Sequence, residues 1–154
     1  VSGLDIRRAG TADAHVIAAL HARAFADAWS APSIARLISG PGGFALIAAD
    51  GAADVGFALL QCVPPEAELL SIGVEPSRRM SGIGRRILGR AAVELMQTGA
   101  DTMFLDVAAD NKPAIALYRA LGFGDISLRP RYYPGNIDAI VMKAGLSGMV
   151  GSRN

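Results

Sequence analysis

A second cysteine is missing. Cys62 stands alone, so no internal disulfide can staple the fold, and its place in the run Ala58-Leu59-Leu60-Gln61-Cys62-Val63 reads as a buried thiol in a reducing compartment. Long apolar runs are missing too: nothing approaches the ~20 residues that span a bilayer. Val1 to Arg8 lacks the basic-then-apolar order of a signal peptide, so the expectation is a cytoplasmic protein without a membrane partner. Charge of one sign is also lacking, since 15 Lys and Arg against 14 Asp and Glu leave a net +1. That balance implies no dedicated nucleic-acid partner. Histidine is scarce: His15 and His21 lie six apart, a poor pair for one helical face. Helix-packing or surface roles are expected for both, and no cluster has the ligand spacing of a metal site, so the metal expectation is none. What the chain does have is 51% hydrophobic residues over 154 positions, enough for one core and one domain.

The patterning gives an order of elements. Leu4 to Arg8 reads as a strand, and Thr11 can cap a helix whose apolar face is Val16, Ile17, Leu20, Ala24 and Phe25. Ser30 caps a shorter helix that Gly40-Pro41-Gly42-Gly43 stops. Phe44 to Ala49 and Val55 to Val63 form a hairpin, and Glu68 to Val74 adds a strand after Pro64-Pro65. A helix runs from Gly84 to Gly99, a strand from Thr102 to Val107, and a further helix from Lys112 to Leu121. Asp125 to Tyr132 and Ile137 to Lys143 close the chain as a hairpin. A single domain over 1–146 is expected, with 147–154 as a flexible tail, because Ser147 onward shows no periodic burial. The fold class is α/β: a mixed, mostly antiparallel sheet flanked by helices.

The strongest local signal is Arg78-Arg79-Met80-Ser81-Gly82-Ile83-Gly84-Arg85-Arg86, set between a strand and a helix. Glycines allow close backbone approach, and the first N–H groups of a helix have no internal acceptor, so this turn is an anion site with arginines at hand. It lacks the lysine of a P-loop, and its glycines are too close for a dinucleotide fingerprint. Arg79-Met80-Ser81-Gly82-Ile83-Gly84 instead resembles the signature of the GNAT superfamily of N-acetyltransferases: Arg or Gln, two residues, Gly, one residue, Gly or Ala. The resemblance runs from Ile6 to Met142. It implies acetyl-CoA as cosubstrate, its pyrophosphate held by the turn from Arg79 to Arg85 and its pantetheine arm along Ile72, Gly73 and Val74.

A narrower resemblance, to RimI-type alpha-N-acetyltransferases, rests on Ala28-Trp29-Ser30, Ala67 to Val74, Leu105-Asp106-Val107 with Asn111, Ala114 to Phe123, and Arg131-Tyr132-Tyr133-Pro134. It implies acetylation of a protein N-terminus, with ribosomal protein S18 as the expected acceptor. Within it Tyr118 is the acid beside the sulfur, although helical spacing also fits a core tyrosine. Asp106 stands where such enzymes carry a glutamate base; one methylene shorter, it acts through water or anchors substrate. Glu68 is the rival carboxylate, or a surface strand residue. Asn111 caps a helix or contacts the pantetheine arm. Tyr132 and Tyr133 wall a peptide groove, and Trp29 packs beneath it or anchors the core. Two other functions stay open: acetylation of a small amine or a lysine, and a non-catalytic acyl-CoA-binding module in a tRNA-modification or ribosome-associated assembly.

Overall fold

The computed structural model describes residues 3–150. Its strands are β1 Leu4–Arg8, β2 Gly43–Asp50, β3 Ala53–Val63, β4 Glu66–Val74, β5 Thr102–Ala108, β6 Gly124–Tyr133 and β7 Ile137–Gly145. Its helices are α1 Ala14–Ala24, α2 Ala31–Ser39, α3 Ile83–Gln97, α4 Lys112–Ala120 and α5 Leu146–Val150. One seven-stranded sheet has the order β1-β2-β3-β4-β5-β7-β6. Only β4 and β5 pair in parallel; the other neighbours are antiparallel. This is the mixed α/β fold that the patterning implies.

The burial of each strand follows from what covers it. β2 from Phe44 to Ala48 and β3 from Val55 to Leu60 are apolar and buried without interruption because both their faces are covered. Ala45, Ile47, Phe57 and Leu59 meet Ile17 and Leu20 of α1 and Ile34 of α2. Leu46, Ala58 and Leu60 face the other way, into a larger core with Ile87, Leu88 and Leu95 of α3. Each such side chain contributes ~1.5–3 kcal/mol on burial. β5 alternates instead: Met103, Leu105 and Val107 enter the larger core, while Phe104, Asp106 and Ala108 stand on the opposite, partly open face.

Three local expectations change. Thr11 caps nothing; it opens a 3-10 turn, Thr11–Asp13, in which the Asp13 carboxylate accepts from Gly10 N–H at 2.9 Å and pairs with Arg7 at 3.1 Å. Cys62 is half-buried rather than buried, with Sγ 3.6 Å from Thr98 Oγ1. The expected tail from Ser147 is corrected as far as Val150: these residues belong to α5, whose Leu146 and Met149 are sealed in the core. Three residues apart, those two share one helical face, in a segment too short to display a period. Residues 151–154 lie outside the described residues. Among the described residues no helix is long and apolar enough to cross a membrane.

Candidate active site

The site begins where the sheet comes apart. β4 and β5 pair only at Glu66 with Thr102, Ala67 with Met103 and Glu68 with Phe104. β4 then continues to Val74 and β5 to Ala108 without further pairing, so the strands splay into a gap. A bulge shapes the β4 side: Leu59 of β3 opposes Ser71 and Leu60 opposes Leu69, which leaves Leu70 as the extra residue. Leu70 therefore packs toward α1 and α2, and Ser71 reaches His21 of α1, while Leu69 and Ile72 pack into the larger core. Past the bulge, Ile72 to Val74 keep β3 on one edge and present the other to the gap. Gly73 has to be glycine here, since a Cβ would lie 2.5 Å from the ring of the fully buried Phe57.

The glycine turn closes one end of the gap. Pro76–Arg78 form a 3-10 turn, Met80 follows with φ of 67° and a side chain 98% exposed, and Gly82 is the N-cap of α3 with φ of 83°. A left-handed N-cap suits glycine, and glycine has no side chain to cap the helix. The first turn of α3 also lacks an acidic residue. Its amides and the positive end of its dipole thus face outward, a cradle that fits a pyrophosphate. Gly84 lets the turn approach closely, because a Cβ there would sit 3.3 Å from Leu117 of α4 and 4.0 Å from Ile72. The other members of the motif divide by role. Ile83 is a core residue that offers the turn only its backbone. The Ser81 hydroxyl donates to the Arg78 carbonyl, Arg79 Nη2 to the Ala24 carbonyl at 3.4 Å, and Arg85 Nη2 to the Ala120 carbonyl at 3.5 Å. Arg78 is held by Asp50 at 2.6 Å.

Tyr118 enters from the α4 side. Its ring is 7% exposed and tilted against Phe123 at 5.7 Å. Burial, and then the neighbouring Tyr133 phenol, push Tyr118 up to about 12. Asn111 caps α4 as one of its two expected roles requires, Oδ1 accepting from Ala114 N–H at 3.3 Å.

The opposite face of the sheet holds the carboxylates. Glu68 is exposed at the last rung of the β4–β5 ladder, beside Phe104, and Asp106 lies two residues further along β5 on the same face. Asp106 is held 4.0 Å from Arg129 Nε and faces Tyr133, whose phenol is raised by burial first and by the Asp106 charge second. Arg129 also covers the Tyr132 ring at 5.3 Å, and the two tyrosine rings meet edge to face at 5.1 Å. Trp29 lies on the chain between α1 and α2, stacked on His21 at 4.9 Å. The structure therefore places Glu68 and Asp106, with Arg129 and Tyr133 near Asp106, on the face shared with α1, where Trp29 stacks on His21, and places Tyr118 in the core on the α3 side. Arg129 and His21 were not singled out by sequence reasoning as site residues. The doublet Leu69-Leu70, which breaks the alternation of β4, was the available sign of the bulge.

The sheet opens between its two parallel strands, and the turn at the head of α3 is fitted to an anion without the features of a P-loop or a dinucleotide fingerprint. A family model described as the acetyltransferase (GNAT) family matches residues 14–123, and the chain belongs to that family. The N-alpha-acetyltransferase RimI of Mycobacterium tuberculosis is 37% identical over 139 residues, 86% of each chain. The ribosomal protein bS18-alanine N-acetyltransferase of Escherichia coli is 43% identical over 94 residues, 59% of this chain; the match spans 64% of that relative's length. The crystal structure of the ribosomal-protein-S18-alanine N-acetyltransferase from Escherichia coli matches with a TM-score of 0.86 at 34% identity, covering 93% of this chain and 94% of that one.

Proposed function

We propose that this chain transfers an acetyl group from acetyl-CoA to the N-terminal α-amine of a protein in the cytoplasm, with ribosomal protein S18 as acceptor. The observation that carries this reading is the unpaired length of β4 and β5, open to a cosubstrate on the α3–α4 side and to an acceptor on the Asp106 side. The free edge of Ile72, Gly73 and Val74 suits the amides of a pantetheine arm, as a strand edge suits any extended amide chain. The turn from Arg79 through Met80, Ser81, Gly82, Ile83 and Gly84 to Arg85 suits the pyrophosphate, and Asn111 holds α4 where Tyr118 meets the gap.

A protein α-amine has a pKa of about 7.7 to 8.0, so a useful fraction is neutral near pH 7 and no strong base is needed. Its nitrogen attacks the thioester carbonyl directly; the C–N bond forms and the C–S bond breaks. The proton lost from nitrogen passes through water to Asp106 or Glu68. Tyr118, a phenol that is protonated near pH 7 and that burial pushes up to about 12, supplies a proton to the departing sulfur and regains one from solvent. Trp29, Tyr132 and Tyr133 wall the acceptor side, and holding the two reactants together provides much of the rate.

The deciding experiment incubates the protein with acetyl-CoA and three acceptor sets: peptides beginning as ribosomal protein S18 does, α-blocked peptides carrying lysine, and small amines. Mass analysis then locates the acetyl group. Product on the peptide α-amine is expected. The short turn at 134–136 leaves the acceptor face open enough for another amine, so product on lysine or a small amine alone would replace this reading. Tight acetyl-CoA binding with no product on any acceptor would make the chain a non-catalytic acyl-CoA-binding module.

A further inference from the structure

His21 is the buried polar side chain of the described residues, 2% exposed on α1. Its ring sits among Phe25 at 4.7 Å, Trp29 at 4.9 Å and Phe57 at 5.5 Å. Such a site favours an apolar residue unless both ring nitrogens find partners. Both do. Trp29 N–H donates to Nδ1 at 3.2 Å, so Nδ1 carries no proton and the neutral ring keeps its hydrogen on Nε2. Nε2 lies 3.3 Å from Ser71 Oγ, which accepts from it.

The two bonds join the Trp29 chain to β4 through α1, which also packs on Leu70 and reaches Glu75 through Arg23. The chain from Phe25 to Ser30 has no helix or strand, and among the described hydrogen bonds the one from Trp29 N–H is what residues 26–29 contribute. Ser71 is on the α1 face only because the Leu70 bulge turns two successive residues that way. The next three residues of β4 form the free edge of the gap. The chain from Trp29 through His21 to Ser71 thus runs from the loop beside the acceptor face to the strand beneath the cosubstrate arm.

We propose that His21 is a positioning residue: its Nδ1, accepting from the Trp29 backbone N–H, clasps the Trp29 loop to α1 beside the β4 bulge and thereby sets the acceptor's approach to the gap. This rests on the reading of the gap as the meeting place of acetyl-CoA and a peptide amine. A histidine that merely packs α1 would be replaceable by any side chain of similar size; a clasp depends on which nitrogen is imitated. Asparagine places an amide oxygen near Nδ1 and keeps the Trp29 bond. Glutamine reaches toward Nε2 and keeps only the Ser71 contact. Leucine keeps neither.

Trp29 is the sole tryptophan of the chain, so its fluorescence reports the loop without any assay of activity. In His21→Leu and His21→Gln, acrylamide quenching of Trp29 should rise about twofold, and KM for the acceptor peptide about 3- to 10-fold, the range one hydrogen bond supports. His21→Asn should stay within about twofold of wild type in both, and KM for acetyl-CoA should stay within about twofold in all three. Equal quenching in the Asn and Gln variants would overturn the clasp, as would acetyl-CoA and acceptor KM values that rise together. If His21→Leu does not fold, the Asn and Gln pair decides. If the wild type acetylates no peptide, the proposed function falls, and the quenching series still judges the clasp.

Discussion

Tyr118, which we propose as the acid, has its ring sealed in the core. Because burial pushes Tyr118 up to about 12, it stays protonated through the range in which the protein can be assayed. Tyr118→Phe removes one oxygen and no packing, so folding should be unaffected and acetyl-CoA affinity should hold within about twofold, while kcat falls by about 10²-fold. Calorimetric binding beside steady-state rates separates the two; a variant with undiminished kcat has no acid at this position, provided chemistry limits the wild type. His21 behaves in the opposite sense. Burial pulls its imidazole below the ordinary histidine range, so the unfolded chain binds the proton more readily than the fold does. Its contribution to stability is complete above the unfolded value of about 6.5 and is lost as pH falls through the folded value. Urea midpoints at pH 7.5 and 5.5 should therefore drop further in wild type than in His21→Asn, which has nothing to titrate at that site. Equal drops would remove His21 from the acid response. The face of Asp106 was legible beforehand, because strand alternation places it with Phe104 and Ala108. Its partner Arg129 was not, since the pairing spans β7: Arg129 stands opposite Ala139, and Ala139 opposite Ala108.

Elements set by short-range chemistry were legible to within a residue or two. Ser30 caps α2, its Oγ accepting from Ser33 N–H at 3.2 Å, and Gly82 opens α3, because a cap or a left-handed turn is decided by the few residues around it. The bulge in β4 left only the Leu69-Leu70 doublet as a sign, and the gap beyond Glu68 left none, because register is a property of two strands and a single strand's sequence carries only one side of it. α5 shows the same limit in a helix. One turn is too short for a periodic signal, and its two buried residues make sense only against α3, with whose Leu88, Ala92 and Leu95 they share the larger core. If that packing is as described, Met149→Ala should cost about 2–5 kcal/mol, the usual range for emptying a sealed site, and Ser147→Ala on the exposed side less than about 0.5. Denaturant titration of both variants measures this; equal stabilities would return Leu146–Val150 to the status of a tail.

At the scale of the whole molecule, the proposed function has two substrates approach the gap from opposite faces of one sheet. Glu68 and Asp106 stand on the face shared with α1, while Tyr118 belongs to the core on the α3 side. Such a layout favours a ternary complex, in which the amine meets the thioester within the splay and no covalent intermediate on the protein is required. The one thiol of the chain is badly placed to provide such an intermediate. Cys62 of β3 opposes Ala67, at the closed end of the β4–β5 ladder, and its sulfur is turned to Thr98. Initial rates measured over a grid of acetyl-CoA and acceptor concentrations should therefore give intersecting double-reciprocal lines. Incubation with labelled acetyl-CoA alone should leave no acetyl group on the protein, and Cys62→Ala should retain kcat within about twofold. Parallel lines, together with label that survives denaturation and is lost from Cys62→Ala, would mean that the acetyl group passes through the enzyme. In that case the two-sided gap would bind the substrates in turn rather than together.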